Sequence, residues 1–338
     1  MITVYSPVRI SFAGGGTDIS PFPEKYGGAV FNTTIDRGIM IRYVDDGGTL
    51  EISSRDFLKT SLISSDNTSM ENQIIKLFTD KGITTGRLIM NSDVPPGSGL
   101  GSSSALLNGV LKTINIINVE KKKESELKPM ELAKLSYITE KEKFNIILGK
   151  QDPYAIAVGG LKYMEFSSSD PEMQIFDINT EFVHELESSM LLVYTGNTRE
   201  SSKSLQEQAI KSALGDEETM DKLKSLKNLA FRMKQETISE DRNAICDIIN
   251  KGWEIKKTLG SNVSNERIDY MINYAFAHGA RSAKLLGGGS EGFILVMTEP
   301  ENIDELQSKM REKSKFVIRL KFDGKGTRVI NNYIDSDI

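Results

Sequence analysis

This chain is nearly without the residues that build disulfides and histidine metal centres. Its 338 residues include one cysteine, Cys246, and two histidines, His184 and His278. One thiol cannot close an intramolecular disulfide, and two imidazoles nearly exclude a multi-histidine metal site. Cys246, His278 and the single tryptophan, Trp253, fall in stretches of helical periodicity and read as packing residues. Long hydrophobic runs are missing as well. No stretch approaches the roughly 18 apolar residues of a membrane-spanning helix, and Met1 to Gly16 has neither the basic start nor the apolar run of a secretory leader. Basic charge is not in surplus either. The net charge of −5 argues against nucleic acid as the main partner, while leaving room for a local basic pocket. These absences lead to the expectation of a cytoplasmic globular protein that meets small molecules, with no nucleic-acid and no membrane partner.

Glycine is what the chain does have, in three islands. The first is Ala13-Gly-Gly-Gly-Thr-Asp18, the second Pro95-Pro-Gly-Ser-Gly-Leu-Gly-Ser-Ser-Ser-Ala105, the third Leu286-Gly-Gly-Gly-Ser-Glu-Gly-Phe293. The second precedes an apolar run with helical spacing. Glycines let the backbone turn and approach a ligand closely, and serines suit a helix start, where free N–H groups and the positive dipole end gather. Together they describe a cradle for phosphates. No Gly-Lys-Ser/Thr follows, so it is not a P-loop. Pro96, Gly97, Ser98, Gly99, Leu100, Gly101, Ser102, Ser103 and Ser104 are accordingly the candidates for holding ATP phosphates, with a serine hydroxyl available to Mg²⁺, a cation that prefers oxygen. The third island matches G-x-G-x-x-G at Gly287, Gly289 and Gly292, but a helix precedes it and a strand follows, the reverse of a dinucleotide site. A close-packed loop facing the phosphate loop is expected instead.

The length exceeds one ordinary core, so two domains are expected. Strands are predicted at Val4–Phe12, Ala29–Val44 and Thr49–Ser53, joined by turns such as Asp46-Gly-Gly48. A helix follows the phosphate loop, with Leu106, Leu107, Val110, Leu111, Ile114 and Ile117 at three-to-four spacing. Another spans about 129–143. Strands are predicted at Leu161–Phe166, Met190–Tyr194 and Phe293–Met297, and helices at about 202–213, 218–238, 240–259 and 265–279. Phe316–Phe322 and Thr327–Ile330 read as a hairpin turning at Asp323-Gly324. The mixture is α+β, with a boundary between about 165 and 190.

Read locally, the charged candidates are bland. Asp152, ahead of Pro153, reads as a helix N-cap, Glu140 as an exposed helix charge, Asp18 as a turn cap and Arg199 as a surface residue. Arg9 lies in an apolar strand and so needs an anionic partner.

Taken together, the islands resemble the GHMP kinase superfamily. Its motif Pro-x-x-x-Gly-Leu-Gly-Ser-Ser-(Ser/Ala)-Ala is matched from Pro95 to Ala105. The sugar-kinase form Arg-x-x-x-x-Gly-x-x-Thr-Asp is matched from Arg9 to Asp18, and the glycine loop after Ala-Lys-Leu-Leu from Ala283 to Phe293. Ser6 to Asp18, Gly149 to Ala155 and Thr195 to Arg199 look like the heptose 7-phosphate kinase subgroup, with L-fucose kinases sharing similar segments. The resemblance implies an α+β two-domain fold. Residues 1–175 would be a ribosomal protein S5 domain 2-like domain and residues 176–338 a ferredoxin-like GHMP domain. It implies ATP and Mg²⁺, the metal held by Ser103 and Glu140, with Asp152 as catalytic aspartate and Arg9 beside it. Gly16, Thr17, Asp18, Lys150, Gln151, Arg199, Gly288 and Gly289 would face the acceptor, a sugar phosphate whose 7-phosphate needs cations such as Lys150, Arg199 and Lys203. The reaction implied is phosphorylation of the sugar's anomeric hydroxyl. Another sugar 1-kinase and a non-catalytic binding protein of the same fold are the alternatives, and homodimerisation is an open expectation. Glu291, where small residues are usual, is expected to turn away from the nucleotide.

Overall fold

The computed structural model describes residues 1–54, 59–61, 69–196, 202–260 and 262–330. The larger of two sheets begins with β1 (Ile2–Ala13), β2 (Gly28–Thr49), β3 (Glu51–Ser54), β4 (Lys59–Ser61), β5 (Thr85–Ser92), β6 (Lys162–Phe166) and β7 (Glu172–Ile175). The smaller, antiparallel throughout, contains β8 (Met190–Tyr194), β9 (Ser282–Leu285), β10 (Phe293–Met297) and β11 (Val317–Ile318) in the order β11-β8-β10-β9. A last strand, β12 (Arg328–Val329), returns to the larger sheet beside β1, where Val4 pairs with Val329. The helices are α1 (Phe22–Tyr26), α2 (Met70–Thr79), α3 (Ser102–Lys122), α4 (Pro129–Ile138), α5 (Gln151–Val158), α6 (Glu181–Ser188), α7 (Ser202–Leu214), α8 (Glu217–Ile238), α9 (Arg242–Lys256), α10 (Glu266–Ala277) and α11 (Ile303–Arg311). No helix among the described residues is long and apolar enough to cross a membrane.

β1 and β2 form the spine. β2 changes neighbour along its length, pairing with β6 from Gly28 to Asn32 and with β5 from Ile39 onward. Helices α3, α5 and α8 pack on both spine strands. This is why β1 reads as a nearly unbroken buried run rather than an alternating one. Its register breaks between Pro7 and Arg9. Pro7 has no N–H to donate and so suits a bulge, and the Arg9 amide leaves the ladder to donate to Leu100 O at 2.9 Å. That bulge aims Arg9 at the phosphate loop.

The smaller sheet divides its side chains by parity, as a strand must. Leu191, Val193, Ile294 and Val296 face a cluster with Ile268, Met271 and Ile272 of α10 and Ile303, Leu306 and Met310 of α11. Met190, Leu192, Phe293, Leu295 and Met297 belong instead to the core shared with the larger sheet. Side-chain caps mark five helix starts among the described residues: Ser69 on Asn72 N for α2, Thr180 on Val183 N for α6, Asp216 on Thr219 N for α8, Asp241 on Ala244 N for α9 and Asn265 on Ile268 N for α10.

Three expectations are corrected. The hairpin at 316–330 does not form, because β11 pairs with β8 and β12 with β1. The Asp323 carboxylate instead accepts from Lys325 N, Gly326 N and Arg328 Nη1, holding a link between the sheets. Asp46–Gly48 is not a reversal either: Val44 and Thr49 on its two sides both pair with β5, so the extra residues bulge. The helix expected over 129–143 is α-helical to Ile138 and then π-helical from Thr139 to Lys143. Thr139 contributes by donating its hydroxyl to Leu135 O, and π turns are frequent where a helix serves a site.

Lys162 is fully buried, its Nζ donating to Gly160 O at 2.6 Å. Burial pulls its ammonium down to about 7, opposed by Asp323. Between that value and the unfolded one the unfolded chain binds the extra proton, so this residue's penalty fades as pH rises. Lys162→Met is therefore expected to raise Tm by a few degrees at pH 7, with the advantage shrinking toward pH 10. Thermal melts at both pH values read it, and an advantage independent of pH would refute the assignment.

Candidate active site

α3 begins with an open mouth. Its N-cap, Gly101, is left-handed at φ 76° and offers no side chain, and no acidic residue sits in the first turn. The helical ladder starts with Ala105 N on Gly101 O at 2.9 Å. The amides of Ser102, Ser103 and Ser104 thus precede the first bond, where a helix has N–H groups to give to an anion.

Arg9 stands beside this mouth and is 5% exposed. Its Nε donates to Asp152 Oδ1 and its Nη2 to Asp152 Oδ2, both at 2.7 Å, while Nη1 donates to Gly99 O at 2.7 Å. This two-pronged pairing fixes the plane of the carboxylate. Asp152 keeps 26% of its side chain exposed, toward the cleft. The local reading of Asp152 as an N-cap fails, since the cap position of α5 is Lys150, with no side-chain cap bond. Asp18 serves the helix start instead, its Oδ2 accepting Gln151 N at 2.9 Å. Burial raises the Asp18 carboxyl, opposed first by that N–H. Asp18 reaches the helix because residue 149 is glycine. A Cβ there would lie 1.8 Å from Asp18 Oδ2.

The second and third islands touch backbone to backbone. Phe293 N donates to Ser98 O at 3.1 Å, and a Cβ on Gly287 would lie 2.5 Å from Gly99 Cα. The third island is the close-packed partner of the phosphate loop that its context suggested. All three islands border one cleft of about 270 Å³, which also receives Glu140, Gln151, Asp152, Gln208 and Lys256.

A family model described as "GHMP kinases N terminal domain" matches residues 70–160, which hold the α3 mouth, Glu140 and Asp152. The D-glycero-alpha-D-manno-heptose 7-phosphate kinase of Campylobacter jejuni is 33% identical over 341 residues, covering 97% of this chain and 98% of that protein. This chain belongs to the GHMP kinase family. A crystal structure of a D-glycero-D-manno-heptose 1-phosphate kinase from Bacteroides thetaiotaomicron resembles this kinase with a TM-score of 0.77 at 26% identity. It covers 98% of this chain and 100% of that one. Lactococcus lactis galactokinase, at 16% identity and a TM-score of 0.74 over 97% of this chain and 94% of its own, shares the fold. The α+β GHMP kinase architecture and phosphotransferase class follow, with ATP as the family's donor.

The kinase gathers many of the expected residues at the cleft: Arg9, Gly16, Asp18, Gly97, Gly99, Gly101, Ser102, Ser103, Ser104, Glu140, Gln151, Asp152 and Gly288. Others sit elsewhere. Pro96 is exposed beyond the lining, and Ser98 and Leu100 are fully buried beneath the loop. The Thr17 hydroxyl is spent on main chain, donating toward Gly14 O and Ala29 O and accepting Ala29 N, so it shapes the first island from behind. Gly289 packs on Val263. Lys150 turns its ammonium to Ser167 O and Ser169 O and is not among the residues that line the cleft. Arg199 lies outside the described residues, as does the side chain of Lys203. Glu291 is not a lining residue; it sits close enough to Tyr194 to raise that phenol, after burial.

Among the lining side chains that escaped sequence reasoning, two from the second half of the chain are polar. Gln208 donates Nε2 to Gly16 O at 2.8 Å, and Lys256 donates Nζ to Gly287 O at 2.5 Å. Both come from helices without a motif, and Lys256 is one of several lysines near the end of α9.

Glu140 bears on the expected Mg²⁺. Its Oε2 accepts the hydroxyl of Ser104, not Ser103, at 3.0 Å, and its Oε1 is buried with no hydrogen-bond partner. Burial pushes the carboxyl up to about 8, the response of an acid without a counter-charge. Ser103, one position earlier, exposes its side chain at the cleft. One buried carboxylate oxygen plus a serine hydroxyl suits Mg²⁺, which takes few protein oxygens and fills its shell with water and phosphate.

Proposed function

We propose that this chain transfers the γ-phosphoryl group of ATP to the anomeric hydroxyl of D-glycero-D-manno-heptose 7-phosphate, giving the 1,7-bisphosphate. The observation that carries the chemistry is the meeting, in one cleft, of the α3 mouth with an aspartate held by an arginine fork. The heptose phosphate rests on the relatives' names and the length over which they match.

The nucleotide phosphates lie against the amides of Ser102 to Ser104, where the helix dipole adds to the hydrogen bonds. Ser103 and the free oxygen of Glu140 would hold Mg²⁺, which neutralises charge on the phosphates when bound. Asp18 accepts hydrogen bonds from sugar hydroxyls while its other oxygen stays on Gln151 N. Asp152 accepts the proton of the acceptor hydroxyl as that oxygen bonds to the γ-phosphorus. The bond from phosphorus to the β–γ bridging oxygen breaks, and ADP leaves with the electron pair. An anomeric hydroxyl is more acidic than an ordinary alcohol, so a carboxylate is a competent acceptor. Arg9 keeps the carboxylate facing the line of transfer, and positioning is the larger part of phosphoryl-transfer catalysis.

The test is ADP release with Mg-ATP against D-glycero-D-manno-heptose 7-phosphate, the unphosphorylated heptose, L-fucose, galactose and mevalonate. Turnover is expected with the 7-phosphate, with kcat/KM at least 100-fold above every other acceptor. A free sugar used as well or better would overturn the acceptor assignment.

A further inference from the structure

A phosphosugar brings a second phosphate into the cleft, and a bound phosphate calls for a cation. Among the described lining residues the cationic side chains are Arg9 and Lys256. Arg9 has its fork on Asp152 and its remaining nitrogen on Gly99 O. Lys284 is buried behind the cleft with Nζ on Ser11 O and Phe12 O. Lys256, the last residue of α9, gives one of its three N–H bonds to Gly287 O, leaving two to direct elsewhere. A Cβ built on Gly15 would stand 3.5 Å from its Nζ. The ammonium therefore sits between the first and third islands.

We propose that Lys256 is the specificity cation of the acceptor site, pairing with the phosphate that the sugar already carries. This rests on the reading of the acceptor as a phosphosugar and names the residue that would select it. The surrounding charges suit the role. Burial lowers the Lys256 ammonium to about 8, Arg9 adds to that, and Asp18 and Asp152 oppose it. Lys284 is a neighbouring buried cation, its own ammonium lowered by burial and then by Lys256 and Arg9. An arriving phosphate favours the protonated form of Lys256, so its binding takes up a proton near pH 8. Above that pH the site holds the phosphosugar less well.

The experiment compares wild type, Lys256→Met and Lys256→Arg in steady-state kinetics with D-glycero-D-manno-heptose 7-phosphate and with the unphosphorylated heptose. Calorimetric binding of the 7-phosphate without ATP accompanies it. Lys256→Met should raise KM and Kd for the 7-phosphate roughly 10- to 100-fold, the range of a lost charge-assisted bond. KM for ATP and kcat/KM for the unphosphorylated heptose should stay within about threefold of wild type. Lys256→Arg should recover most of the loss and abolish the rise of KM above pH 8, because guanidinium stays charged. A 7-phosphate KM and Kd indifferent to Lys256→Met would overturn the proposal while leaving the acceptor reading intact. An equal drop in kcat/KM for both acceptors would also overturn it, assigning Lys256 to the reacting centre. Wild type that turns over free sugars and neither uses nor binds the 7-phosphate would sink the acceptor reading and the proposal with it.

Discussion

Asp152→Asn should lower kcat by roughly 10²- to 10⁴-fold, the range of a lost general base, with KM for ATP within about threefold of wild type. The substitution nearly preserves shape, so the carbonyl can still accept from Arg9 while the proton acceptor is gone. kcat and kcat/KM should fall together, the pattern of an interaction made in the transition state. The test also separates two roles that the geometry combines. In the proposed reaction Asp152 would both orient the acceptor and take its proton, and an asparagine could go on orienting. A variant that binds both substrates and turns over at the wild-type rate would leave Asp152 as an orienting group only.

Gly149→Ala should cost the enzyme both stability and its sugar site. The new Cβ would fall 1.8 Å from Asp18 Oδ2 and 2.3 Å from Asp18 Cγ, separations no real contact sustains. Asp18 would have to leave Gln151 N, exposing the start of α5 on which Asp152 is mounted. Overpacking of this kind costs about 1–3 kcal/mol, and loss of a helix cap adds about 1 kcal/mol. We expect Tm to fall by several degrees and KM for the sugar to rise more than 10-fold, with kcat also reduced. Gly47→Ala is the control. Its φ of +75° carries backbone strain, but nothing lies within 4 Å of the added carbon, so it should leave the kinetics alone. Wild-type Tm and sugar KM in Gly149→Ala would mean that Asp18 has no fixed place at the helix start.

The parts of this kinase that were legible in the sequence are those in which chain neighbours make the structure. The Pro95–Ala105 loop announces a helix mouth because its glycines and serines act on their own backbone, and the apolar spacing after it announces α3. Strands such as Phe293–Met297 were legible because every residue in them is buried. What escaped depended on partners remote in sequence. Asp152 next to Pro153 has the local form of a cap, and nothing nearby says that Asp18 takes that duty while Arg9 takes Asp152. Lys256 is written like a solvated helix lysine and reaches the cleft only because α9 ends beside Gly287. Lys150 departs in the opposite sense. It stands in a signature segment, yet its long side chain swings to the carbonyls of Ser167 and Ser169. The false hairpin at 316–330 has the same origin, since two alternating segments joined by Asp-Gly look alike whether they pair with each other or with separate sheets.

The return of β12 to β1 bears on how the protein is made. A ribosome releases β1 long before the strand that borders it at Val4 and Tyr5, which arrives with Arg328 and Val329. The third island, which packs against the loop before α3, likewise follows it by most of the described chain. A nascent chain would therefore carry that β1 edge unpaired until Arg328 and Val329 emerge, the kind of edge that recruits other chains. A polypeptide released before residue 287 would have the α3 mouth but not the third island that packs against the loop before it. The cleft should then form in one step, once the third island has emerged, rather than accumulate as the chain lengthens.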